Sequence, residues 1–122
     1  MNKLYQKILN DKDYQTLIEI KKRPGLYLRS GKSFRDLVNF MCGYDICKYD
    51  YNIEEEINVF NLKNDAGFKF NDFVRDKYNI KNMERDWKYG IESNSTDDME
   101  AFDLFYNLLD EYIKMSIDNT DK

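Results

Sequence analysis

The chain has no histidine, two cysteines, one proline and one tryptophan in 122 residues. Without His it lacks the commonest general base, the commonest transition-metal ligand and the usual partner of a Ser or Cys nucleophile. Familiar hydrolase mechanisms are thereby disfavoured, and the chain reads as a protein that is not an enzyme and needs neither cofactor nor metal. Cys42 and Cys47 fall five apart in one predicted helix, on different faces and without a redox or metal spacing, which predicts reduced, mostly buried thiols. No apolar run approaches the roughly 20 residues needed to cross a bilayer. Met1 to Lys7 lead into neither an apolar stretch nor a small-residue cleavage site, so export is not expected. The expectation is a soluble, cytoplasmic protein that contacts neither membrane nor nucleic acid.

What is abundant is aromatic surface. Ten Tyr and eight Phe accompany an apolar fraction of 42%, enough large side chains to build one core in a chain of this length. One domain over residues 1–122 is expected, with residues 1–3 and 118–122 frayed. The net charge of −4 hides a split: residues 1–35 carry nine Lys/Arg against three Asp/Glu, giving +6, and residues 36–122 carry ten against twenty, giving −10. An acidic body repels phosphates and steers basic proteins toward it, which favours a basic protein partner.

The spacing predicts a mainly α fold, a small single-domain helical bundle with at most a short extended segment. Leu4, Tyr5, Ile8 and Leu9, then Tyr14, Leu17, Ile18 and Ile20, fit one broken or two short helices. Arg23-Pro24-Gly25 stops that pattern, and Leu26-Tyr27-Leu28 reads as extended, with Tyr27 and Leu28 plugging the core. Ser33 is the predicted N-cap of a helix through Phe34, Leu37, Val38, Met41 and Tyr44 that ends between Asp45 and Tyr49. Residues 50–64 suit either helix or strand before an Asn64-Asp65-Ala66-Gly67 turn. Asn71 is placed to cap a helix through Phe73, Val74 and Tyr78, and Met83, Trp87 and Ile91 mark another core helix. Ser93 to Thr96 form a loop ending in an N-cap. Behind it Met99, Phe102, Phe105, Tyr106, Leu109, Tyr112, Ile113 and Ser116 make an apolar stripe.

Gly31-Lys32-Ser33 looks like the end of a phosphate-binding loop, but the first glycine of that loop falls at Leu26, and no βαβ context surrounds it. Glu54-Glu55-Glu56 point in three directions on a helix and cannot meet one ion, so they read as solvated or as partner-facing. Asp97 and Asp98 suit the positive end of the last helix, or a partner. Tyr44, Asp45, Tyr49, Asp50 and Tyr51 form a Tyr/Asp cluster suited to an Arg/Lys-rich surface, since Tyr supplies contact area at low entropic cost. These ten residues are the predicted partner-binding set.

Four stretches in order resemble cytosolic immunity proteins encoded beside bacterial polymorphic or contact-dependent growth-inhibition toxins: Arg23-Pro24-Gly25-Leu26-Tyr27-Leu28, Phe34 to Tyr44, Phe73 to Tyr78, and Glu100 to Leu109. The resemblance implies a protein that binds the C-terminal domain of a toxin, often a nuclease, and blocks its active site or partner surface. No toxin-contacting residue carries over from it. The charge agrees, because nucleases hold RNA or DNA on basic surfaces that an acidic domain can occupy. The alternative is a regulatory or adaptor module on a host or phage macromolecule.

Overall fold

The computed structural model describes residues 3–51 and 69–120. Among these the chain forms seven helices and no strand: α1 Lys3–Asn10, α2 Lys12–Lys22, α3 Pro24–Tyr27, α4 Phe34–Asp50, α5 Phe70–Lys77, α6 Trp87–Ser93 and α7 Asp98–Thr120. The all-helical expectation holds. The ambiguous stretch after Tyr51, with its expected turn at 64–67, lies outside the described residues. No helix of the described residues is long and apolar enough to cross a membrane.

Local chemistry explains most boundaries. Asp11 separates α1 from α2, its carboxylate accepting the Tyr14 N–H at 3.0 Å as an N-cap. Pro24 stops α2 and opens α3 at N1, where its missing N–H costs nothing. The expected extended segment is therefore helical from Pro24 to Tyr27, and only Leu28, with φ −118° and ψ 136°, is extended. Leu28 is buried as expected, whereas Tyr27 is 40% exposed: one turn of helix points the two side chains apart. At the end of α5, Asn79 takes a left-handed φ of 54°. The Ile80 N–H then bonds the Arg75 carbonyl and the Asn79 N–H that of Asp76, a Schellman closure.

α7 is the hub, packed against α1, α4, α5 and α6. One side carries Phe105 into a ring cluster with Phe34 of α4, Phe70 of α5 and Trp87 of α6, centroids 5.6–6.1 Å apart. The other side receives Ile8, Leu17 and Ile20. The buried Tyr106 hydroxyl donates to the Leu17 carbonyl at 2.6 Å, and burial pushes that phenol's pKa up. Met83 and Met99, expected in the core, are 82% and 58% exposed; α6 starts only at Trp87, so no helix carries Met83 inward, and Met99 sits in the first turn of α7, ahead of the buried face that begins at Ala101 and Phe102. Asn71 does not cap its own helix. It sits in the first turn of α5, and its buried side-chain oxygen accepts the Trp87 N–H at 2.9 Å, capping α6 together with Asp86.

Two glycines sit in helices with opposite surroundings. A Cβ at Gly43 of α4 would meet nothing within 4 Å, whereas one at Gly90 of α6 would lie 2.9 Å from Val74 Cγ1 and 3.1 Å from Ile80 Cδ1. Gly43→Ala is expected to raise stability by about 0.5–1 kcal/mol through helix propensity. Gly90→Ala is expected to lower it by about 1–2 kcal/mol, because overpacking outweighs the same gain. Urea unfolding of both variants measures the two signs, and equal signs would refute the close α5–α6 approach.

Candidate partner-binding surface

α4 positions the predicted Tyr/Asp cluster by outrunning the core. Phe34, Leu37 and Met41 are buried in succession, but the next positions on that line are Asp45 and Lys48, polar residues that cannot continue it. No described side chain from Cys42 to Tyr51 is buried. Tyr44 is partly exposed with its ring 6.2 Å from that of Phe40, Asp45 is half-buried, Asp50 is exposed and Tyr51 is 75% exposed. Ile46, which the sequence reading passed over, is 62% exposed beside them. Its only sequence signal is that it lies off the Phe34–Leu37–Met41 line. Cys42 and Cys47 are exposed on this same part of α4, where mostly buried thiols were expected. Tyr49 lies on α4 with its side chain outside the described residues, as are Glu54, Glu55 and Glu56 entirely.

Asp97 and Asp98 belong to the opposite end of α4, about 25 Å of helix away. The Asp97 carboxylate accepts the Glu100 N–H at 2.8 Å and so is the N-cap of α7, one residue later than the expected Thr96. Glu100 reaches back to Thr96, whose hydroxyl donates to it at 2.8 Å. Asp98 is committed to α4. Its carboxylate accepts the buried Ser33 hydroxyl and the Arg35 N–H at 2.9 Å, while Ser33 Oγ accepts the Asp36 N–H at 3.1 Å. A carboxylate in the first turn of α7 thus holds the N-terminus of α4. Partial burial raises the Asp98 pKa, but the Ser33 and Arg35 hydrogen bonds outweigh it and hold the carboxyl below the ordinary range. This geometry also disposes of the phosphate-loop likeness, for the position a phosphate would take at the start of α4 is filled by Asp98. The predicted set therefore splits, with the Tyr/Asp cluster presented outward and the Asp97–Asp98 pair engaged in the fold.

A third feature escaped the sequence reading. A groove of about 440 Å³ runs between α5 and α7, lined by Lys69, Asp72, Phe73, Asp76, Lys77, Tyr112 and Met115. Lys77 closes one side with an ion pair to Glu111 at 2.9 Å, and that bond raises the ammonium's pKa. The Tyr112 hydroxyl accepts the Lys69 N–H at 2.6 Å. The floor is apolar and the rim carries both signs. Among the described residues no group of three or more His, Cys, Asp or Glu is placed to hold a metal ion. Compared with known protein families, characterised proteins and solved structures, the chain matches none.

Asp98→Ala is expected to cost about 1–2 kcal/mol, the usual worth of a helix cap. Ser33→Ala on that background should cost further stability, because it also removes the Ser33 Oγ cap on the Asp36 N–H. Since the folded Asp98 pKa lies below the unfolded value of about 3.9, its contribution is complete above that value and disappears as pH falls through the folded one. The gap between wild type and Asp98→Ala should therefore begin to narrow as pH falls below about 4 and close once pH is below the folded value; a gap in thermal melts that does not narrow with falling pH would rule out the carboxylate as its source.

Proposed function

We propose that this protein is an immunity protein: a cytoplasmic module that binds and neutralises a basic toxin domain, of nuclease type, and acts by occupation and not by catalysis. The observation that carries the reading is the unburied second half of α4, which presents Tyr44, Ile46 and Tyr51 beside Asp45 and Asp50. A helix seldom continues about two and a half turns past its last buried residue with aromatic and aliphatic side chains exposed unless something covers them. Tyr at the centre with carboxylates beside it complements a surface of Arg and Lys. The −10 balance of residues 36–122 adds long-range attraction for a basic protein. The resemblance of the four sequence stretches to immunity proteins supplies the toxin.

The test starts from the gene immediately upstream, where a toxin domain is expected, and co-expresses that domain with this protein. The expected outcome is a co-purifying complex and protected cells, with Asp50→Lys/Tyr51→Ala weakening binding by about ten- to a hundredfold at unchanged helicity by circular dichroism. Toxicity undiminished by the wild-type protein overturns the reading. A regulatory or adaptor role is the second reading, favoured by the α5–α7 groove, whose mixed-sign rim does not select a basic ligand. One host factor recovered in cells without any toxin gene, and lost on Phe73→Lys, would favour it.

A further inference from the structure

Between Glu19 and Asp36 the chain carries six Lys/Arg and no Asp/Glu. The structure gathers the first part of this run at the α2–α3 corner, where Leu26 is 69% and Tyr27 40% exposed and Lys21, Lys22, Arg23 and Arg29 are all exposed. Arg23 has only a long, solvated contact to Glu19 at 3.9 Å, and among the described residues Lys22 and Arg29 meet no carboxylate. Cations around an exposed Leu–Tyr tip form an apolar centre with a one-sign rim, the anatomy of a contact patch. The acidic function proposed above makes no use of it.

The complementary patch is on the same chain. Met99 is 58% exposed at the start of α7, flanked by exposed Asp97, Glu100 and Asp103. The two patches adjoin: five residues, at most about 18 Å of extended chain, lead from Tyr27 to Lys32, which pairs with Asp103 at 3.3 Å. That intramolecular pair is a small version of the larger contact. An extended polyanion, whether nucleic acid or anionic bilayer, would meet the corner and the acidic remainder together, whereas a second copy brings its carboxylates only where they match. Patches that are adjacent and opposite in charge close under a two-fold rotation, each corner on the other's rim, without propagating into a filament.

The geometry points to a two-fold homodimer in which the basic Leu26–Tyr27 corner of each copy docks on the acidic rim around Met99 of the other. The far end of α4 stays free in this arrangement, so the dimer and the toxin-facing surface are separable.

Sedimentation velocity of the full chain tests it by charge exchange. Wild type is expected to dimerise at high micromolar concentration in about 50 mM NaCl and to weaken at least about tenfold in 500 mM. Arg23→Glu/Arg29→Glu and Glu100→Lys/Asp103→Lys should each be monomeric, with circular dichroism confirming that they fold. Mixed together they should form a heterodimer, since both contacts regain opposite charges. A monomeric wild type, a dimer indifferent to both reversals, or a mixture that stays monomeric overturns the proposal. So does a monomeric wild type whose corner instead holds a single-stranded oligonucleotide or phosphatidylserine vesicles and loses them on Arg23→Glu/Arg29→Glu.

Discussion

The fold hangs on the contact between four aromatic rings drawn from four helices. Phe34, Phe70, Trp87 and Phe105 meet edge-to-face and tilted, geometries that add about 0.5–1.5 kcal/mol per pair beyond the area they bury. Each ring sits at or within one to two turns of the start of its helix or in mid-helix, so seating it also sets where that helix lies. Trp87 stands at the junction and leaves its indole Nε1 buried with no hydrogen-bond partner among the described residues. An unmet buried donor costs about 1–3 kcal/mol, which the ring contacts must exceed for the indole to remain there. Ring packing therefore outranks polar satisfaction at the centre, while Asn71 and Asp86 satisfy the backbone around it.

Outside that centre the organising force is the placement of carboxylates at helix starts. Asp11, Asp86 and Asp97 cap α2, α6 and α7, and Asp98 serves α4 across a sequence gap of 65 residues. Several acids that look like free negative charge in the sequence are thereby absorbed into the fold. Others on α7 are balanced by Lys32, Lys77 and Lys114. What remains outward-facing is less than the composition suggests and is placed by helix geometry: the far end of α4 and the rim around Met99.

The apolar spacing made the helices legible because buried side chains must recur every three to four residues, and Leu37–Met41 and Phe102–Phe105–Leu109–Tyr112 do so without interruption. Where the pattern misled, a single side chain was judged without its neighbours. Met83 shares spacing with core residues but precedes the helix that would carry it inward, and Met99 sits in the first turn of α7, ahead of that helix's buried face. Asn71 has the chemistry of a cap, yet which helix it caps depends on a partner sixteen residues away. The Tyr/Asp cluster was legible as a composition. That the buried line of α4 stops at Met41 and leaves Tyr44 and Tyr51 exposed is set by tertiary packing, and the α5–α7 groove exists only once two distant segments lie side by side.

The hub helix comes last in chain order, and that has a consequence for how the protein comes into being. As the chain leaves the ribosome, α1 to α6 emerge before the surface against which most of them rest, and the Leu17 carbonyl waits for a tyrosine 89 residues downstream. Until α7 appears, the rings at positions 34, 70 and 87 lack the Phe105 face that joins them. Of the helices made before α7, all but α4 are shorter than the ~12–15 residues below which an isolated helix is marginal in water. Folding thus waits on the arrival of α7, and a chain cut short before it lacks the surface on which α1, α4, α5 and α6 rest.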